Sequence, residues 1–531
     1  MSTAPAARDA SAPAAAPAAG RLRAILVLLC TSLGLVIAAN SSLAVALPSV
    51  GADLRADQGA LTWAVDAYSL LFAALLLPAG IAADRFGQRA LLVGGLLVFG
   101  GASLASAFAG SAEVLIALRA VAGAGAAAVF PVTLAALVSA YPPERRGFAV
   151  AVWSGVSAGG AVVGLLAAGA LLELFWWGSV QVLFGVGALL LVPGALVLVG
   201  QHRDRRLSLD LPGALLAVVA LTGLVYGVLE APLHGWTSGR VLVPIAVGAL
   251  AGVGFVLREL RTDSPALDVR AFRSRGLAVG SLLVSAQFFT AFGLFTLLPQ
   301  YLQVVPGYSP LQAALVLLAM SVGAGIGSAT MGARGAAWGW RGPAATGLLL
   351  MAAGFAGLSL AAGDGRLWSV LAALVLFGAG FGASMVPGTS LILDGLPPER
   401  RSVASAVNDI TREVGGVLGI AVLSSVLVST YREDLAPALV LLPEPLADLA
   451  LDGAGPAQAA AGQLGPAGAD LRAAVGDAFA SGLADAFAVA ACFLVVAGLV
   501  CGALAPSRRR PGRHVRRRQV PAPRTPARGT A

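Results

Sequence analysis

The chain has 531 residues, of which 58% are hydrophobic and 12% are charged, and its formal net charge is +8. Soluble domains carry about 25% charged residues, so this composition excludes a soluble globular protein and indicates a membrane protein with many spans. The apolar residues form continuous runs instead of the alternating strands of a membrane β-barrel, so we expect helices. All 35 basic residues are arginine. Their excess fits the charge bias of membrane loops, and we predict no binding of nucleic acid.

Fourteen apolar segments are long enough to cross a bilayer as helices of about 20 residues. They cover residues 24–47, 60–82, 90–109, 112–138, 148–172, 177–199, 211–230, 240–258, 277–300, 311–333, 343–362, 367–391, 403–429 and 481–505. We therefore predict an all-α polytopic membrane protein with 14 transmembrane helices. Outside them, residues 1–20 and the basic residues 507–531 are expected to form disordered tails, and residues 430–480 a long irregular loop.

The arginines predict which side of the membrane each loop faces. With the N-terminus in the cytoplasm, 28 of the 35 arginines lie in cytoplasmic segments and five lie outside. Basic residues are enriched in cytoplasmic loops, so we predict that both termini are cytoplasmic. The long loop 430–480 then lies outside the cell.

A short internal repeat indicates that the chain arose by duplication. The pentapeptide Pro-Pro-Glu-Arg-Arg occurs at 142–146 and again at 397–401, each time in a predicted cytoplasmic loop. If segments seven and eight are an inserted pair, each copy follows the fourth helix of a six-helix half. We therefore predict a first half over 21–200, an inserted helix pair over 201–260 and a second half over 261–506.

Several stretches carry the residue patterns of a known transporter family. They are Gly80–Arg89 between the second and third segments, Arg119 with Gly123 and Gly125 in the fourth, Trp63–Ser69, Trp176–Ser179 and Asn408–Glu413. With them the chain resembles the major facilitator superfamily and, within it, the fourteen-helix drug:proton antiporters. The resemblance implies a major facilitator fold with two pseudo-symmetric halves plus the inserted pair. It also implies multidrug efflux, the proton-coupled export of amphipathic or cationic small molecules by alternating access.

The same resemblance sets the other functional expectations. We expect a transporter in a bacterial plasma membrane, not an enzyme, that works as a monomer without a cofactor or metal. Its expected partners are a small-molecule substrate, protons and the lipid bilayer. Two other functions stay open: a dedicated exporter of one endogenous metabolite or self-made antibiotic, and a membrane sensor that does not transport.

Charged residues inside the predicted helices are the candidates for proton coupling, because a charge in a bilayer costs several kcal/mol unless it is paired. Asp66 and Arg119 lie at similar depth in the second and fourth segments, and we predict that they face one another, so that protonation of Asp66 releases Arg119. The alternatives are a static ion pair, or an Asp66 that simply reaches the outer interface of the membrane. Asp409, Arg412 and Glu413 lie near one face of the thirteenth helix. They predict a second proton or cation site, or a self-neutralised cluster.

The charged loop between the second and third segments is the predicted gate. The resemblance assigns its motif to Gly80, Asp84, Arg85, Gly87 and Arg89. It implies that Asp84 binds a helix N-terminus of the other half and so latches one conformation. Solvation of an ordinary loop is the alternative.

Aromatic and polar residues within the helices are the candidates for the substrate pocket. Phe288, Phe292 and Phe295 recur at helical spacing on the ninth segment and predict an apolar wall for aromatic or cationic compounds. Packing or lipid contact is the alternative. Asn40 and Gln287 are polar within helices and are expected to orient the substrate by hydrogen bonds.

Overall fold

The computed structural model of the protein describes residues 19–201, 210–262, 269–338, 340–395, 401–440, 442–464 and 468–505. Both predicted tails lie almost entirely outside these residues. The second copy of the pentapeptide lies outside them as well, except for the backbone of Arg401, and so does the side chain of Asp84.

The described residues form sixteen α-helices and one short 3-10 helix, Val269–Arg273, with no β-strand among them. The helices are α1 (Ala19–Leu54), α2 (Gln58–Phe86), α3 (Gln88–Ser106), α4 (Ala112–Ala140), α5 (Pro143–Leu174), α6 (Gly178–Leu198), α7 (Leu211–His234), α8 (Gly239–Arg261), α9 (Arg275–Val304), α10 (Pro310–Trp338), α11 (Arg341–Asp364), α12 (Leu367–Asp394), α13 (Arg401–Leu439), α14 (Glu444–Leu451), α15 (Ala454–Gln463) and α16 (Gly468–Leu504).

Thirteen of these helices are long and apolar enough to cross a membrane by length and composition. The described apolar part of α5, Gly159–Leu174, is shorter, although the whole helix has 32 residues. The fourteen predicted segments correspond to α1–α13 and α16, so the predicted all-α polytopic fold is confirmed. We call the end of the bundle where α1 begins the terminal end, and the other end the opposite end.

The helices form two groups, each with its own apolar core. Helices α1–α6 share one cluster of buried side chains that includes Leu33, Phe99 and Val129, and α9–α16 share another that includes Phe355 and Phe487. Helices α7 and α8 pack on each other, and α7 also contacts α2 and α13. We propose on this basis that the chain divides into the two halves and the inserted pair expected from the sequence.

Close helix contacts inside each group depend on small residues. Helices α2 and α4 approach each other at Gly123, where a Cβ atom would overlap the backbone of Tyr68. At Gly101 on α3, by contrast, a Cβ atom would meet nothing within 4 Å. Glycine therefore sets the distance between α2 and α4, as small residues do at membrane helix contacts.

The segment 430–480 is not the irregular loop expected from its composition. Helix α13 continues to Leu439, and α14 and α15 follow before α16 begins at Gly468. Alanine, the best helix former, is abundant here, and a proline in the first turn of α14 is compatible with a helix start. A loop was expected because the segment has no strong apolar periodicity.

We call residues 444–463, which comprise α14 and α15, the cap. The Tyr431 hydroxyl of α13 donates to the carbonyl of Ala450 at 2.9 Å, and the Gln58 amide at the start of α2 donates to the carbonyl of Asp452 at 2.7 Å. Burial raises the pKa of the Asp452 carboxyl, and the nearby charge of Asp57 raises it further, while Arg432 lowers it and Asp448 raises it. The cap thus joins the two groups of helices at the opposite end.

Substituting Gly123 by alanine should destabilise the protein, because the new Cβ must push α2 away from α4. Overpacking of this kind costs about 1–3 kcal/mol. Thermal unfolding of the purified protein in detergent measures the effect. Gly101→Ala is the matched control on α3, and an equal loss of stability in both variants would contradict the account.

The contacts of the cap at the opposite end should be more stable at lower pH because of Asp452. A carboxyl whose pKa is higher in the folded state than in the unfolded chain binds more protons when folded. The free energy of unfolding therefore falls as the pH rises through the range between the two pKa values. Asp452→Asn should therefore unfold at a higher temperature than the wild type at pH 8, and the two should converge at acidic pH. Parallel pH profiles for both proteins would refute the assignment.

Candidate functional site

A cavity of about 630 Å³ lies between the two groups of helices. Helices α1, α2, α4 and α5 line one side, and α9, α10, α12 and α13 line the other. Its volume falls in the range of small-molecule sites, and its wall is mainly apolar with a few polar groups, as is usual for such sites. We call it the central cavity.

Phenylalanine rings form much of the wall contributed by the second group. Phe288, Phe292 and Phe295 of α9 all line the central cavity. The ring of Phe288 packs edge to face against Phe292 at 5.9 Å and against Phe381 of α12 at 5.6 Å. The three predicted pocket residues of α9 therefore lie at the cavity, where their contact with substrate stays a prediction.

The two polar pocket candidates have different positions. Asn40 of α1 lines the cavity, and its amide oxygen accepts a hydrogen bond from the Ser69 hydroxyl at 2.9 Å. Gln287 is fully buried and donates to the Ser384 hydroxyl of α12, so it lies outside the lining. The expectation for Gln287 is wrong, because one residue along a helix turns a side chain by about 100°.

Three charged residues of α13 face the central cavity. Arg412 lies 3.8 Å from the Asp409 carboxylate, and its guanidinium carbon lies 4.4 Å from the centroid of the Phe288 ring. The Glu413 Oε2 atom is buried and has no hydrogen-bond partner among the described residues. When all three are ionised, the cluster carries one net negative charge. The cluster is neutral only when one of its two acids carries a proton.

Arg119 is held by the backbone of the first group. Its Nε atom donates to the carbonyl of Ala64 at 3.0 Å, Nη1 donates to the carbonyl of Ala39 at 3.4 Å, and the guanidinium stacks over the Tyr68 ring at 4.3 Å. Tyr68 itself lines the central cavity. Tyr68 was not among the site residues predicted from the sequence, although it belongs to the Trp63–Ser69 stretch on which the family resemblance rests.

Asp66 does not face Arg119, and that part of the sequence-based expectation is wrong. Both of its carboxylate oxygens are buried, and neither has a hydrogen-bond partner in the described part of the chain. Asp66 lies two residues from both Ala64 and Tyr68, so it points about 200° away from the face that holds Arg119. Equal depth in the membrane was therefore insufficient to predict a pair.

The face of α2 that carries Asp66 packs against the inserted helices and the second group. Trp63 lies 6.0 Å from the Tyr226 ring of α7, and Leu70 belongs to an apolar cluster with Val417 of α13 and residues of α7. Because positions i, i+3 and i+7 share one face of a helix, Asp66 lies on the face of α2 that packs against α7 and α13.

The predicted gate is shorter than its sequence suggests. Gly80 and Arg85 lie within α2, and Gly87 alone joins α2 to α3, with a φ of 102° that favours glycine. Arg89 donates to the carbonyl of Leu196 on α6 at 3.3 Å. The carboxylate of Asp84 lies outside the described side chains, so the predicted latch stays a prediction.

The arrangement of two helical groups around a central cavity agrees with sequence comparison. The sequence model described as Major Facilitator Superfamily matches residues 29–420. The chain belongs to the Major Facilitator Superfamily. It is accordingly a transporter and not an enzyme, as the motifs predicted, and a multi-pass plasma-membrane protein of bacterial type.

Relatives within this superfamily are resistance and efflux proteins. The chain is 31% identical to the tetracenomycin C resistance and export protein of Streptomyces glaucescens, over 93% of this chain and 94% of that protein. It is 34% identical to the methyl viologen resistance protein SmvA of Salmonella typhimurium, over 74% of this chain and 79% of that protein. The multidrug efflux pump LfrA of Mycolicibacterium smegmatis is 31% identical, over 87% and 92%.

Solved structures show the same fold. A bacterial homolog of the human lysosomal transporter Spinster, in an inward-facing conformation, superposes with a TM-score of 0.62 at 17% identity, over 91% of this chain and 98% of that one. A D-xylose–proton symporter gives 0.60 at 15% identity, again over 91% and 98%. These likenesses confirm the fold.

Proposed function

We propose that this transporter, as a monomer in the bilayer, exports amphipathic or cationic small molecules across the plasma membrane by alternating access, in exchange for protons. The central cavity carries the proposal, because it combines an aromatic wall with two acidic side chains and one arginine. The arginine bias of the loops supports placing the terminal end in the cytoplasm.

The wall of the central cavity suits an organic cation. The faces of aromatic rings attract cations, by about 2 kcal/mol or more where water is excluded. Phe288 and Phe292 supply such rings in the cavity that Asp409 and Glu413 also line. The apolar remainder of the lining accommodates the hydrophobic part of the molecule. Methyl viologen, named in one relative, is a cation of this kind.

Proton coupling is supported by the buried acids. An ionised carboxylate without a partner is expensive in an apolar interior, so Asp66 is favoured there when it carries a proton. If the other conformation exposes Asp66 to water, the proton can leave on that side. Glu413 offers a second such group, and it lines the central cavity.

A dedicated exporter of a self-made antibiotic is the second candidate. The relative that matches over 93% of this chain is named for resistance to and export of a single compound, tetracenomycin C. Resistance of cells to dyes, quaternary ammonium compounds and antibiotics distinguishes the two functions, because a dedicated exporter protects against one chemical class only.

Replacing Asp66 by asparagine should abolish proton-driven transport and leave substrate exchange intact, because the amide cannot carry the proton. The measurement is proton flux on addition of substrate to proteoliposomes with an imposed pH gradient. Asp434→Asn, an exposed acid near the end of α13, is the matched control. A proton flux in Asp66→Asn equal to that of the wild type would exclude the role of Asp66, and no flux in the wild type would exclude antiport.

Arg412 should compete with cationic substrates, because its guanidinium already occupies the space over Phe288 beside Asp409. We expect Arg412→Gln to bind ethidium about tenfold more tightly, which corresponds to about 1.4 kcal/mol, and Glu413→Gln to bind it more weakly. Fluorescence polarisation of the purified variants at one pH measures both. Weaker ethidium binding in Arg412→Gln would show that Arg412 supports the site and does not compete for it.

A further inference from the structure

A second cavity lies outside the central cavity, between the inserted helix pair and the bundle. It has a volume of about 190 Å³ and is formed by α2, α7, α8 and α13. Its wall consists mostly of small and apolar side chains, among them Ala74, Ala217, Leu221, Phe255 and Val414. We call it the lateral cavity.

The charged side chains in the wall of the lateral cavity are both acidic, Asp210 and Glu259. Asp210 caps α7, where its Oδ1 atom accepts from the Gly213 amide at 2.9 Å and from Arg258 Nη2 and Nε at 2.7 and 2.8 Å. Its Oδ2 atom is buried and has no partner among the described residues, and the side chain is only 9% exposed.

The carboxylate of Asp210 is ready to receive a cation. The hydrogen bond from Arg258 lowers the pKa of Asp210, burial opposes this, and the Gly213 amide lowers the pKa further, so the group is ionised at neutral pH. All three described donors reach Oδ1, which leaves Oδ2 free. A buried charged acceptor with one unused oxygen is unfavourable unless a ligand or water fills it.

Helix α13 separates the lateral cavity from the central one. Ile410 and Val414 line the lateral cavity, while Asp409 and Glu413, their immediate neighbours in sequence, line the central cavity. An occupant of the lateral cavity therefore lies one helix thickness from the substrate site. The lateral cavity is less than a third of the size of the central one, so it admits an alkyl chain or a single ring but not a larger multi-ring compound.

We propose that the lateral cavity is an entry site that takes amphipathic organic cations from the lipid leaflet at the terminal end. The cationic head would bind Asp210 Oδ2, and the apolar part would lie among Ala217, Leu221 and Phe255. This rests on the proposed function, since it assumes that the protein transports such compounds. It also assigns the inserted α7–α8 pair a role in substrate capture.

Two variants separate the charge of the site from its volume. Asp210→Asn removes the charge but keeps a good N-cap residue for α7. Ala217→Phe fills the cavity without touching the ion pair. Leu215→Phe is the matched control, because Leu215 lies on the same helix and is 64% exposed on its outer face.

Equilibrium binding of radiolabelled dodecyltrimethylammonium to the full-length protein, in nanodiscs of phosphatidylglycerol, tests the proposal. We expect two molecules per wild-type protein and per Leu215→Phe protein, and one per Ala217→Phe protein. Asp210→Asn should weaken one of the two sites about tenfold or more, and Glu413→Gln should weaken the other. A wild type that binds one molecule, with the same affinity in Ala217→Phe, would overturn the proposal.

Lipid is the competing occupant, because an ethanolamine headgroup has the same ammonium chemistry. If adding phosphatidylethanolamine to the nanodiscs removes one bound probe from the wild type, and transport by Ala217→Phe is normal, the cavity is a lipid site and the proposal is wrong.

If the lateral cavity is an entry site, Ala217→Phe raises the KM for the dodecyl cation and leaves the KM for methyl viologen unchanged. Binding stoichiometry does not depend on proton coupling, so failure of antiport would be distinguishable from failure of the entry site.

Discussion

The structure depends on how charged groups are held inside an apolar bundle. Each such group costs several kcal/mol unless the protein provides a partner. Arg119 meets part of this cost with two backbone carbonyls and the face of Tyr68, and Arg412 meets part of it with Asp409 and the face of Phe288. Nη2 of Arg119 and Nε of Arg412 have no hydrogen-bond partner among the described residues. Each arginine therefore fixes an aromatic ring at the wall of the central cavity.

Helix α13 contacts the central cavity, the inserted helix pair and the cap, so the position of its charged residues affects all three. Its charged face lines the central cavity, its apolar face meets the inserted helices, and its far end continues toward the cap. A rotation of α13 would change the environment of both cavities together. Substrate capture, substrate binding and proton uptake are thus connected through one helix in the mechanism that we propose.

The sequence predicted the helices well and their rotation poorly. Every span needs its own apolar run, so α1–α13 and α16 could be located by composition alone. The direction in which a side chain points depends on packing, and for this reason the pairing of Asp66 with Arg119 and the position of Gln287 were wrong. The spacing of Phe288, Phe292 and Phe295 places all three at the central cavity because periodicity reports one face of a helix, and their contact with substrate stays a prediction. The cap was missed because short helices that depend on tertiary contacts leave a weak local signal.

The single-residue connection at Gly87 has a mechanical consequence for the first group of helices. A flexible loop would let α2 and α3 tilt independently, whereas one glycine between them leaves no slack, and Arg89 fastens the start of α3 to α6. We therefore expect a tilt of α2 that moves Tyr68 at the cavity to carry with it the start of α3 and, through Arg89, the end of α6 at the terminal end.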